Sequence, residues 1–212
     1  MPLIVIEGLD GSGKSTQLAL LEERIRAQGL ISHRFRDPGG TALGEGIRSL
    51  LLDPKTNACG SAELLGYLLA RAQLVHEHLA PLHAQGAVVV LDRFWYSTIA
   101  YQCFGLGLPR EQVQPAIELA NQGIHVDAAI YLDISAAQAL QRRADASALD
   151  RIESRGLQYL QKVEKGYHSL VSAQLLHAIP ADQDPQVVHQ GVWELVSPLL
   201  CAGEDAHRAE PL

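Results

Sequence analysis

A chain of 212 residues with 47% hydrophobic content is long enough for one large domain with a substantial core. Its formal net charge of -7 and pI near 5.7 argue against nucleic acid or an acidic membrane surface as partner, since either would call for a basic surplus. A small phosphorylated ligand needs only a local basic pocket and is not excluded.

Three scattered cysteines, Cys59, Cys103 and Cys201, form no C-x-x-C pair, which speaks against a disulfide framework or a zinc site and for a reducing cytoplasm. Met1-Pro2-Leu3 leads straight into an apolar run, with no basic leader and no segment of membrane-spanning length, so a soluble cytoplasmic chain is expected.

The first apolar run, Leu3-Ile4-Val5-Ile6, reads as a strand and ends at Gly8-Leu9-Asp10-Gly11-Ser12-Gly13-Lys14-Ser15-Thr16. That stretch fits G-x-x-x-x-G-K-[ST], the P-loop, and a run with helical periodicity (Leu18, Leu21, Ile25) follows it. Glycines allow a tight turn whose N–H groups face inward on phosphate oxygens, and the helix start adds unpaired amides and its positive dipole end. In this pattern Lys14 bridges the terminal phosphates of a nucleoside triphosphate, and the Ser15 hydroxyl ligates Mg²⁺.

Ile31 to Arg36 predicts a second strand, closed by Asp37-Pro38-Gly39-Gly40. Thr41 then caps a helix carrying Ile47, Leu50 and Leu51. A long helix is expected from about Ser61 to Gln85, ended by Gly86. Ala87 to Leu91 is a continuous apolar run, as in a strand covered on both faces, with Asp92-Arg93 at its end. Helical stretches follow at Ser97 to Cys103 and Arg110 to Gln122, then a buried strand, Ala128 to Leu132, closed by Asp133. Ser135 caps a helix through Arg143. A polar break at 144–150 precedes a helix from Arg151 to Ala173, a short strand at Leu175 to Pro180 and a last helix from Pro185 to Leu199. The tail after Cys201 has no apolar anchor before Leu212 and is expected to fray.

This alternation predicts about five parallel strands with helices on both faces, a single α/β domain over 1–200. In such sheets ligands bind beyond the carboxyl ends of the strands. The P-loop, Arg36-Asp37, Asp92-Arg93 and Asp133 all stand at those ends. Asp92 occupies the position of a second acidic group near Mg²⁺, and Arg93 can grip phosphate with two parallel bonds. A plain strand-end salt bridge is the other reading of that pair, as a solvated helix face is for Arg48.

Asp92-Arg93-Phe94-Trp95-Tyr96-Ser97-Thr98-Ile99-Ala100-Tyr101-Gln102 resembles the D-R-x-x-x-S-x-x-A-Y-Q signature of thymidylate kinases. The P-loop, the loop Arg36 to Thr41 and Asp150-Arg151-Ile152-Glu153 agree with that family in order and spacing, so the resemblance spans residues 3 to about 195. It implies a three-layer P-loop kinase fold with a helical lid at about 142–150, a homodimer, and transfer of the γ-phosphoryl of ATP to dTMP with Mg²⁺. It also implies that Asp10 lies near the metal and the acceptor sugar and that Arg36 and Arg93 hold the acceptor phosphate; Arg48, one helix later, is a further candidate by position, with Pro38 and Ser97 beside them. Tyr67 would stack on the base and Arg71 and Thr98 meet its edge, while Tyr101 packs on the sugar near Gln102. Tyr67 and Arg71 are four apart and share a helix face, although Tyr67 by itself reads as a core aromatic.

No arginine stands among the variable P-loop positions Leu9 to Ser12, so by family logic the lid supplies the transition-state cation. Arg151 is the first choice and Arg143 the second, although alanines fill several positions where related lids repeat arginine. Two readings compete with this one: a kinase for another pyrimidine nucleotide or nucleoside, and a nucleotide-dependent switch without efficient transfer.

Overall fold

The computed structural model describes residues 2–146 and 150–208. Five strands, β1 (Leu3–Glu7), β2 (Ser32–Arg36), β3 (Val88–Asp92), β4 (Ala128–Asp133) and β5 (His177–Pro180), form one parallel sheet in the order β2-β3-β1-β4-β5. The expected α/β architecture is therefore present. The three central strands are apolar and buried on both faces, as crossover helices on each side require. β2 and β5, at the edges, are the more exposed strands, with sequences SHRFR and HAIP.

The helices are α1 (Lys14–Ala27), α2 (Ala42–Leu52), α3 (Gly60–Leu74), α4 (Ala80–Ala84), α5 (Trp95–Thr98), α6 (Arg110–Asn121), α7 (Ala136–Ala146), α8 (Leu157–Ser172) and α9 (Pro185–Arg208). Thr41 caps α2 as its sequence predicts, its hydroxyl accepting from Gly44 N–H at 2.9 Å. Between α3 and α4 the chain stays helical but widens to a π-turn at Val75–Leu79, where Ala80 N–H bonds to Val75 C=O. Pro81 lacks an N–H, and its ring crowds the carbonyl four residues back, so an extra residue in that turn relieves it. The expected 61–85 helix is thus one run with a local defect.

Several boundaries differ from the sequence reading, among them the helix expected to end at Arg143, which runs to Ala146 as α7. α5 passes into a second π-turn, Ile99–Gly105, so the signature segment is helical to Gly105 rather than Cys103. The expected helix from Arg151 begins only at Leu157, after a 3₁₀ turn at Glu153–Arg155 and a break at Gly156 with φ 81. α9 runs to Arg208, nine residues past the expected end. Of the expected lid, Arg142 and Arg143 ride on α7 and Asp150 opens the next loop. Residues 147–149 lie outside the described part.

Candidate functional site

Glu7 ends β1, and the chain then turns through Gly8, Gly11 and Gly13, at φ 151, 92 and 94. A side chain at Gly11 would collide with the Ala139 carbonyl on α7, so glycine there permits both the turn and the close approach. Lys14 is buried, and its Nζ donates to Gly8 C=O and Leu9 C=O, both at 3.0 Å, and to Asp10 Oδ1 at 3.3 Å. Burial and the nearby Arg93 pull the lysine below its ordinary pKa, while Asp10 and Asp92 oppose them. Ser15 is exposed one residue along, at the start of α1. Asp92 Oδ1 is buried without a hydrogen-bond partner.

β3 delivers Arg93 to the same place. Its Nη2 donates to Asp10 Oδ1 at 2.9 Å and to Tyr101 OH at 3.3 Å. Its Nη1 donates to Ser97 Oγ and Tyr167 OH, both at 3.1 Å. Burial opposes the charge of Asp10, but Arg93 and Lys14 outweigh it and hold the carboxyl below its usual range. One carboxylate oxygen therefore joins the P-loop lysine to the arginine of the third strand.

A cleft opens beside this junction. Its wall includes Asp10, Pro38, Arg48, Tyr67, Arg93, Ser97, Tyr101, Gln102 and Arg143. The sequence reading placed each of these in the site. Arg48 Nη1 is held by Pro38 C=O at 3.1 Å. Arg71 and Thr98 sit just behind the wall, nearly inaccessible. Arg71 Nε donates to Asp37 Oδ2 at 2.6 Å and its Nη2 to Thr98 Oγ1 at 2.8 Å. Arg71 Nη1 and Asp37 Oδ1 remain without partners, and Asp37 lines the cleft. Arg36 instead pairs with Glu45 at 2.8 Å on the exposed side of the loop, outside the cleft wall.

The two arginines expected to supply the lid cation sit in different surroundings. Arg151 is turned inward, its Nε on Leu51 C=O and its Nη2 on Glu63 Oε2, both at 2.6 Å, and it does not line the cleft. Arg143 does line the cleft and is ion-paired to Glu153. The reason is Glu63, a fully buried carboxylate on α3 that draws in both Arg151 and Arg155. Burial alone would raise its pKa, but these two arginines lower it.

The sequence reading missed Glu63, although it lies four residues before Tyr67 on the same helix face. It also missed Glu7, an acid ending an otherwise apolar strand, and Tyr167 on α8. Among the described residues no group of three or more His, Cys, Asp or Glu side chains could hold a metal, Cys59 and Cys103 are free thiols, and no helix is long and apolar enough to cross a membrane.

The family described as Thymidylate kinase matches residues 6–192, nearly the whole chain. This protein belongs to the thymidylate kinase family. A thymidylate kinase of Synechococcus sp. strain JA-3-3Ab is 40% identical over 203 residues, covering 94% of this chain and 97% of its own. That of Synechococcus sp. strain RCC307 is 40% identical over 200 residues, with 91% and 94% covered. The thymidylate kinase of Chlorobaculum parvum is 36% identical over 208 residues, with 93% and 96% covered. As a member of the family the protein is an ATP-dependent nucleoside-monophosphate kinase, and the P-loop and cleft described above lie within the matched region.

Proposed function

We propose that the cleft holds dTMP with its phosphate at Arg93 and Arg48, facing the γ-phosphate of an ATP seated on the P-loop. The observation that carries this reading is the shared Asp10 oxygen, contacted by Lys14 Nζ at 3.3 Å and by Arg93 Nη2 at 2.9 Å. Phosphoryl transfer needs the attacking oxygen and the phosphorus aligned at close range, and a lysine and an arginine on one carboxylate are that close. The products are dTDP and ADP.

Most of the work is alignment and charge neutralisation. The acceptor phosphate oxygen is already ionised at neutral pH, so no side chain has to act as a strong base. Lys14 exchanges its carbonyl contacts for phosphate oxygens when ATP enters, which suits a buried cation held only by neutral groups and one carboxylate. Ser15 and Asp92 are the groups that fit Mg²⁺, and the unpartnered Asp92 Oδ1 supports this, since a hard cation or its water shell would satisfy it. When bound, Mg²⁺ offsets charge on the transferring phosphate.

On the acceptor side, Tyr67 offers a face to the base, and the spare Arg71 Nη1 offers a donor towards its carbonyl edge. Tyr101 packs against the sugar, where a 2′-hydroxyl would be crowded, with Thr98 and Gln102 adjoining. Arg36 joins the phosphate only by releasing Glu45. We assign the transition-state cation to Arg143, which lines the cleft, ahead of Arg151, whose guanidinium is committed to Glu63 and Leu51.

Two further assignments belong to this reading. The protein works in the cytoplasm, where its thiols stay reduced, and it associates as a homodimer through the outer face of α3, where Leu65 and Leu69 are 62% and 44% exposed.

A coupled assay of ADP release with dTMP, dUMP, UMP and thymidine tests the substrate. The highest kcat/KM is expected with dTMP, with dUMP lower by the worth of one methyl group, about 10- to 200-fold. A higher value for any other acceptor defeats the assignment.

A further inference from the structure

Arg93 stands in an unusual place. Its backbone has φ 68, a left-handed conformation that a bulky side chain adopts only when its surroundings impose it. The group that surrounds it from behind is the carboxylate of Glu7, which has no exposed surface. The two oxygens of Glu7 divide their tasks. Oε1 accepts from the backbone N–H of Phe94 at 2.8 Å and of Ser97 at 3.3 Å, fixing the turn that follows Arg93. Oε2 accepts from Ser97 Oγ at 2.6 Å and from Tyr167 OH at 2.8 Å. Those two hydroxyls lie 2.9 Å apart and both receive Arg93 Nη1.

With Glu7 ionised, the proton count of this arrangement closes. A guanidinium has no lone pair to offer, so each hydroxyl must accept from Nη1 and turn its own proton elsewhere. The acceptors within reach are Glu7 Oε2 and, for one of the two, the other hydroxyl. An ionised Oε2 accepts everything it is given. Its replacement by an N–H₂ group of equal size would place further donors against the same two oxygens, and one hydroxyl proton would have no acceptor. Tyr167 is meanwhile fixed by its ring, stacked on Tyr131 at 4.7 Å and edge-on to Tyr101 at 6.3 Å, so it cannot swing away.

We propose that Glu7 is a positioning residue that orients the Ser97 and Tyr167 hydroxyls so that their lone pairs hold the Arg93 guanidinium towards the acceptor phosphate. Glu7 itself touches neither substrate. The inference rests on the reading of Arg93 as the acceptor-phosphate ligand. If the unaltered protein does not phosphorylate dTMP, that reading fails first and separately.

The test is Glu7→Gln, which keeps Oε1 for the backbone donors and reverses the polarity at Oε2. In the full-length protein, KM for dTMP should rise about tenfold or more, since a buried donor is left unmatched, while KM for ATP changes less than about twofold. In a Ser97→Ala/Tyr167→Phe background no hydroxyl proton is left to misplace, and adding Glu7→Gln should then change KM for dTMP by less than about twofold. Equal fold-losses in both backgrounds would mean that loss of charge alone matters and would overturn the proposal, as would an unchanged dTMP KM in Glu7→Gln. A parallel rise in both KM values together with a lowered Tm would reduce Glu7 to a structural residue, which also overturns it. Should Glu7→Gln not fold, Tyr167→Phe and Ser97→Ala carry the test. Each keeps its backbone contacts and must raise dTMP KM without moving ATP KM, and silence in both ends the idea.

Discussion

At the scale of single residues, two arginines that look alike in the sequence have been given opposite work. Arg151 follows the lid segment and stands beside Asp150, which made it the natural transition-state cation. Its guanidinium is instead buried against Glu63, 88 residues away, and the Leu51 carbonyl. Arg143 reaches the cleft wall, paired with Glu153. Arg143→Ala should therefore lower kcat by about 10²-fold or more, a deficit towards the range seen when such a cation is lost, alongside a stability cost from leaving the buried Glu153 without its ion-pair partner. Arg151→Ala should leave kcat nearly unchanged and lower unfolding free energy by about 1–3 kcal/mol in urea titrations, because it removes one of two arginines from a buried carboxylate that Arg155 still pairs. The sign of the pH dependence follows from Glu63. Its pKa is held below the ordinary 4.5, so the anchor is whole above that value and weakens only as pH falls through the lowered one. The Arg151→Ala penalty should thus be the same at pH 6 and pH 8. A kcat loss in Arg151→Ala with unaltered stability would restore the ranking that chain position suggests.

At the scale of elements, local patterns were readable and long-range docking was not. The P-loop could be placed because strand, turn and helix follow one another within a few residues, and the segment from Asp92 to Gln102 because it resembles a family signature. The Glu63–Arg155 contact, by contrast, spans 92 residues, and no local periodicity carries it. The π-turn at Ile99–Gly105 was equally hidden, though it sets Tyr101 and Gln102 at the cleft. α8 holds that turn in place by a close approach at two glycines. A Cβ at Gly166 would meet Ala100 Cα at 2.8 Å, and one at Gly105 would meet the Tyr159 ring at 2.7 Å. Ala100 is backbone and cannot yield, so Gly166→Ala must push α8 outward. It should cost about 1–3 kcal/mol by denaturant unfolding and raise KM for dTMP more than for ATP, since Tyr167 rides on the displaced helix. A variant of normal stability and unchanged KM would show that the two helices have slack between them.

At the scale of the whole molecule, a sheet of order β2-β3-β1-β4-β5 brings the ends of β1 and β3 side by side, with Ile6 opposite Asp92. That adjacency puts the P-loop next to Arg93 although 85 residues separate Gly8 from Arg93 in sequence. The strand alternation makes such a sheet legible, and the convergence of charged strand ends follows from it. What the alternation leaves open is which apolar helix faces remain outside. α3 answers part of this: Leu64 and Leu68 enter the core, Glu63, Tyr67 and Arg71 face the cleft side, and Leu65 and Leu69 stay exposed one turn apart. Two leucines in water on the helix that also carries Tyr67 are best covered by the same face of a second copy, because a twofold contact is self-complementary. Light scattering should then give twice the 23.0 kDa chain mass. Replacing both leucines by glutamate should give a single-chain mass, since like charges would be pressed together across the axis. The same variant should keep α/β circular dichroism, because neither side chain belongs to the core. An unaltered protein that scatters as one chain would leave this face to solvent and separate α3's role in the cleft from any association.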